Sequence, residues 1–141
     1  MRTQVMTCDL SDMQRRLWIS HQLDGMSPQY CVPMTFKMSG EKFCYDKFLN
    51  ACPYLLNKYA ILRCSLSVIS GKPMLQVTDS LDIREIYLPD MEEKEKEKVV
   101  NEIFLKEVRN GFELDNGPLS RFVLIRTQQH ECFVLLLIHH I

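Results

Sequence analysis

Cys132-Phe133-Val134-Leu135-Leu136-Leu137-Ile138-His139-His140-Ile141 is the stretch on which the reading of this chain turns. An unbroken apolar run from Cys132 to Ile138 reads as a buried strand, and it is far too short to span a bilayer. The run Arg121 to Thr127 precedes it, and the polar Gln128-Gln129-His130-Glu131 between the two reads as the turn of a closing hairpin. Adjacent residues on a strand point to opposite faces, so His139 continues the face of Leu135 and Leu137 while His140 continues that of Leu136 and Ile138. The two rings therefore cannot share one job: one is to be held structurally and the other can face a cleft. A histidine near neutral pH can take a proton from an amine or hydroxyl nucleophile. On this pattern alone, a histidine at the end of a core strand is more often a satisfied structural residue than a catalytic one. Neither Cys132 nor any carboxylate sits at ligand spacing from the pair, so no metal is expected.

Upstream of the hairpin, Gly111 to Pro118 reads as a loop. Before it, Met91 to Arg109 reads as a charged helix, with Val100, Phe104 and Val108 as its buried stripe. Its Glu/Lys run is expected to be a solvated face, with Glu92 and Lys96 ordered for mutual support. Leu81 to Leu88 reads as a strand. Cys64 to Ile69 and Met74 to Thr78 flank Ser70-Gly71-Lys72-Pro73, a hairpin signal. Asp46 to Arg63 reads as a helix that Pro53 should kink or restart. Tyr30 to Met38 alternates apolar and polar residues, the pattern of a half-buried strand, and Pro33 marks a start or an edge. Ser11 and Gln14 fit a capping box opening a helix to about His21, with Met13, Leu17 and Trp18 on one face and Gly25, Ser27 and Pro28 at its end. The order helix, strand, helix, hairpin, strand, helix, hairpin describes a mixed α/β (α+β) sandwich in one unit spanning residues 1–141.

The chain's 141 residues are 46% hydrophobic and 25% charged, with a formal net charge of -1. That balance argues against a nucleic-acid surface, which needs clustered Lys and Arg. Met1 to Leu10 lacks the long apolar core of a signal peptide. The six cysteines form no C-x-x-C pair, so they read as reduced thiols of a cytoplasmic protein, mostly small core residues. No membrane partner is expected. A strand that stops directly after His139-His140 predicts further chain, because termini are normally exposed and polar.

Four segments resemble, in order, the motifs of condensation domains of nonribosomal peptide synthetases. Leu10-Ser11-x-x-Gln14-x-x-Leu17-Trp18 with Ser27-Pro28-x-Tyr30 resembles their opening motif. Ile61-Leu62-Arg63-Cys64 is similar to the end of their R-H-x-x-L-R-T run. Phe112-Glu113-Leu114-x-x-Gly117-Pro118-Leu119-x-Arg121 resembles P-F-D-L-x-x-G-P-L-x-R, and His139-His140-Ile141 resembles the start of H-H-x-x-x-D-G. Departures are Lys58-Tyr59 for R-H, Cys64 for the final Thr, Gly111 for Pro and Glu113 for Asp.

The resemblance implies the N-terminal lobe of a chloramphenicol-acetyltransferase-like (CoA-dependent acyltransferase) fold, broken off within the histidine motif. It implies that His140 is the catalytic residue, orienting an acceptor amine and accepting its proton. His139 and Arg63 would be structural at the active site, Arg63 pairing with the motif's Asp beyond Ile141. Without that Asp, Arg63 is expected to be an exposed helix-end cation. The implied partners are peptidyl or acyl carrier proteins, an adenylation domain and the C-terminal lobe. No cofactor is expected to bind directly, since phosphopantetheine arrives on the carrier. The implied activity is amide formation, with a lobe alone inactive because it cannot position two large substrates. Epimerising and ester-forming relatives, another acyltransferase of the same superfamily, and a degenerate module that only docks a partner remain open.

Overall fold

The computed structural model describes residues 6–24, 28–128 and 130–141. Met1 to Val5 of the N-terminal stretch, the helix stop at Gly25 and Ser27, and Gln129 of the last turn lie outside the described residues.

The elements are β1 (Thr7–Asp9), α1 (Asp12–Asp24), a 3-10 turn (Pro28–Tyr30), β2 (Cys31–Ser39), α2 (Tyr45–Lys58), a second 3-10 turn (Ala60–Arg63), β3 (Cys64–Ile69), β4 (Lys72–Val77), β5 (Ile83–Tyr87), α3 (Glu93–Asn110), β6 (Ser120–Gln128) and β7 (Glu131–His139). They build a mixed α/β structure with two sheets, ordered β1-β4-β3 and β2-β7-β6-β5. All pairings are antiparallel except β5 with β6, which runs parallel and is joined by the α3 crossover that such a pair requires.

The apolar run of β7 is explained by its place between β2 and β6, with both faces covered. On one face Val123, Ile125, Leu135 and Leu137 pack with Val100 and Phe104 of α3 and with Leu66 and Leu75 of the small sheet. On the other face Phe122, Leu124, Cys132 and Val134 pack with Tyr45, Cys52 and Leu56 of α2. A strand buried on both sides cannot alternate, so its sequence is continuous hydrophobe.

Several local expectations meet the structure closely. Ser11 and Gln14 form the reciprocal capping box: Gln14 N–H donates to Ser11 Oγ at 3.2 Å, and Ser11 N–H donates to Gln14 Oε1 at 2.9 Å. The β3–β4 hairpin turns on Ser70 (φ 51) and Gly71 (φ 78), the doubly left-handed pair that matches strand twist. Its loop is shorter than expected, since Lys72 and Pro73 already belong to β4. Pro33 lies on an edge strand, β2, which among the described residues pairs only with β7 and so loses no hydrogen bond on its open side.

Other expectations are corrected. β1 has no counterpart in the sequence reading; it is too short to show alternation and exists through its pairing with β4. Met13 is exposed, while Trp18 packs against the core beside α1. Val32 and Phe36 of β2 are exposed, because α2 covers the β6–β7 centre rather than this edge. Pro53 does not restart α2, which runs through it as one helix to Lys58, with Cys52 and Leu56 buried on either side. The break comes at Tyr59, whose extended backbone (φ -112, ψ 91) leads into the 3-10 turn.

The charged helix departs furthest from its reading. Lys96 is only 4% exposed and Glu107 is buried as well, on the same stripe as Val100 and Phe104. Lys96 Nζ donates not to Glu92 but to Glu93 at 2.6 Å and to Glu131 of β7 at 2.8 Å. Burial would raise the Glu131 carboxyl, but hydrogen bonds from Lys96, Thr127 and Lys37 outweigh it and hold the group down to about 2. Cys52, Cys64 and Cys132 are buried, Cys31 and Cys44 partly so, and Cys8 is exposed. Burial pushes the Cys132 thiol up to about 12, so it is a packing residue rather than a nucleophile. No helix among the described residues is long and apolar enough to cross a membrane.

Candidate active site

The histidine pair sits where β7 leaves the larger sheet. Its backbone is held from two sides: His139 N–H donates to Leu119 O at 2.9 Å, and His140 N–H donates to Tyr30 O at 2.8 Å. The strand's alternation then separates the rings. His139 is 5% exposed and His140 lies on the surface.

His139 is enclosed by aromatic rings from three elements. Their centroids lie 6.1 Å away for His21 of α1, 6.1 Å for Tyr30 and 6.2 Å for Phe112, with His21 and Phe112 meeting it edge to face. Its Nδ1 accepts the N–H of Ile141 at 3.1 Å, so the neutral ring carries its proton on Nε2. Burial, reinforced by the fields of His21 and His140, pushes the His139 imidazolium down from 6.5 to about 4. Near neutral pH His139 is an uncharged packing group with one committed nitrogen.

This has a consequence for stability. Between pH 6.5 and 4 the unfolded chain binds a proton at position 139 and the folded chain does not, so stability falls as pH drops through that window. At about 1.4 kcal/mol per unit, the loss attributable to this ring is about 3 kcal/mol. Urea unfolding at several pH values should show the slope in the parent chain and a shallower one in His139→Leu. Equal slopes would assign the acid sensitivity elsewhere.

Gln14, which the sequence places only in the capping box, also donates from Nε2 to Ile141 O at 2.7 Å. Arg121 closes the far side. Its guanidinium lies 5.0 Å over the Phe112 ring and pairs with Asp82 at 2.6 Å and Glu107 at 3.1 Å. Arg84 joins the same two carboxylates, each at 2.9 Å. Sequence reasoning quoted Gln14, Tyr30, Phe112 and Arg121 as motif positions; their convergence on His139 and His140 is a tertiary fact. His21 carried no signal beyond lying near the end of a helix.

Arg63 is not the exposed helix-end cation expected. Its side chain is 15% exposed. Nε donates to Leu56 O at 3.2 Å and Nη1 to Thr78 O at 2.7 Å, tying the end of α2 to the end of β4. Asp79 lies 3.7 Å away as a solvent-exposed ion partner. The dipole argument holds for the Leu56 carbonyl, but the second carbonyl draws the guanidinium inward. The same turn's Ile61 and Leu62 line a cavity of about 110 Å³ with Ile138, His139 and Ile141, so the turn borders the pair although Arg63 itself bonds elsewhere.

The family model of the Condensation domain matches residues 5–141. Malpinin synthetase of Mortierella alpina is 31% identical over 136 residues, covering 94% of this chain and 2% of that protein. Surfactin synthase subunit 2 of Bacillus subtilis is 30% identical over 132 residues, covering 94% of this chain and 4% of that protein. Among solved structures, the starter condensation domain of rhizomide synthetase superposes with a TM-score of 0.82 at 18% identity, over 96% of this chain and 33% of that one. A four-domain nonribosomal peptide synthetase bound to AMP and glycine does so with a TM-score of 0.76 at 18% identity, over 97% and 10%. The chain thus spans a small part of the synthetases it matches and about a third of the solved starter domain. The profile match over nearly the whole chain and the shared fold lead to one statement: this chain belongs to the condensation-domain family.

Proposed function

We propose that residues 1–141 form the N-terminal lobe of a condensation domain that makes amide bonds in nonribosomal peptide synthesis. The observation that carries this reading is the asymmetry of the histidine pair: His139 is sealed and uncharged, while His140 is presented at the surface on a backbone held from both sides.

In this role His140 orients the α-amine of a carrier-bound aminoacyl acceptor. The amine nitrogen attacks the thioester carbonyl of the donor, and His140 accepts the amine proton as the tetrahedral species forms. Collapse breaks the C–S bond and the proton leaves with the thiol of the donor's phosphopantetheine arm. The lobe supplies no cofactor of its own, since the arm belongs to the carrier. The partners are donor and acceptor carrier proteins, the adenylation domain that loads them, and a C-terminal lobe forming the other wall of the cleft, all in the cytoplasm. His139 and Arg63 brace this site without touching substrate. Positioning two tethered substrates supplies much of the rate, so the lobe by itself is inactive.

One set of observations favours a second reading. Lys58 and Tyr59, both exposed, stand where the family has R-H, and Gly111 and Glu113 depart from its later motif. A module of the same fold that docks a carrier without chemistry would tolerate such changes. The test is a two-lobed domain built on this sequence, offered loaded donor and acceptor carriers, with products read by mass spectrometry. A new amide supports the catalytic reading. Carrier binding without product supports the docking reading, and an ester product would assign the lobe to the ester-forming relatives.

A further inference from the structure

Among the described residues, the Nε2 atoms of His21 and His139 are the two buried side-chain nitrogen or oxygen atoms that no group in the protein reaches. Buried polar atoms are almost always bonded, so an orphan of this kind calls for a partner. The two orphans belong to rings in edge-to-face contact, with centroids 6.1 Å apart and planes at 73°.

Their hydrogen-bonding polarities are complementary. Ile141 N–H occupies His139 Nδ1, which leaves His139 Nε2 as an N–H donor. A donor there needs an acceptor, and His21 Nε2 is an acceptor when His21 carries its own proton on Nδ1. The rings are too far apart to bond directly, and one ordered water can accept from one nitrogen and donate to the other, about 2.9 Å from each.

We infer that His21 is a positioning residue for the histidine motif: through one ordered water its Nε2 accepts the hydrogen bond of His139 Nε2–H, and so fixes the tautomer that receives Ile141. The inference rests on the reading of His140 as the acting group, because the backbone thus held is the backbone on either side of His140. It makes α1 a clamp with three points. Gln14 Nε2 donates to Ile141 O at 2.7 Å, and Ser20 Oγ and Tyr30 OH share a hydrogen bond at 2.9 Å. His21, two helical turns beyond Gln14, holds the ring between those points. A partner behind a functional group that orients it in this way typically changes activity by about 10–100-fold when removed, as outer-shell partners of metal ligands do.

Tautomers can be read directly by long-range ¹H–¹⁵N correlation on the ¹⁵N-histidine-labelled chain, which has four histidines to assign. The expected spectrum shows His139 protonated on Nε2 and His21 on Nδ1. His139 protonated on Nδ1, or His21 on Nε2, overturns the pairing. In the two-lobed domain, His21→Phe fills the space without an acceptor and should lower kcat by about 10-fold with KM for the carriers unchanged, while His21→Gln, which keeps an acceptor oxygen, should restore most of it. Loss of rate only in proportion to lost folded protein, or no rescue by glutamine, overturns the positioning role. Should His140→Ala retain full turnover, the reading of His140 falls, while the pairing still stands or falls on the spectra.

Discussion

Replacing His140 with alanine in a two-lobed domain built on this sequence is expected to slow amide formation by about 10²–10⁴-fold, the range for a lost proton-transfer group. The fold should not change. His140 is exposed, and what holds this position is its backbone N–H on Tyr30 O, which alanine retains. The loss should fall on kcat, with carrier KM little altered, because the ring acts on the reacting amine and not on the carrier surfaces. Single-turnover assays with preloaded carriers would separate the two. Unchanged turnover in a folded variant would remove His140 from the mechanism and leave the proton transfer to another group.

Arg121→Ala should be the most damaging single change in the charged network, by about 3–5 kcal/mol. Arg121 is 8% exposed and satisfies Asp82 and Glu107, both largely buried. Deleting it strands those carboxylates, and the second cation they share, Arg84, has a side chain 41% exposed and is less able to compensate. It also removes the guanidinium stacked on Phe112, the ring that meets His139 edge to face. Arg121→Lys should recover only part of the loss, since an ammonium lacks the rigid planar fork that reaches Asp82 through Nε and Glu107 through Nη1. Arg84→Ala, more exposed, should cost about 1 kcal/mol or less. Urea unfolding of the three variants tests the ranking. If Arg121→Ala costs no more than Arg84→Ala, the buried pairings are not what joins β5, β6 and α3.

Much of the site was legible because its parts are local. The Ser11–Gln14 box closes within one helical turn, and the separation of His139 from His140 follows from strand alternation alone. What was not legible depended on partners distant in sequence. Lys96 and Glu107 fall at helical spacing from Val100 and Phe104, but their residue types read as members of a solvated Glu/Lys run like Lys94 and Glu102, which are exposed. They are buried because Glu131 on β7 and Arg121 on β6 meet them across the core. Arg63 likewise reads as a helix-end cation until Thr78 of another segment offers its carbonyl.

The sequence by itself determined the elements whose cause lies within a few residues: the cap, the Ser70-Gly71 turn, the apolar stripe of α3, the continuous hydrophobe of β7 and the ordered motifs of the family. Only the tertiary structure decided which charges are buried, that Pro53 is carried through α2, that Val32 and Phe36 of β2 are exposed, and that His21, Tyr30 and Phe112 close around His139. The physical reason is that periodicity and turn chemistry are properties of neighbouring residues. Burial and hydrogen-bond pairing are instead properties of surfaces that meet only once the chain has folded.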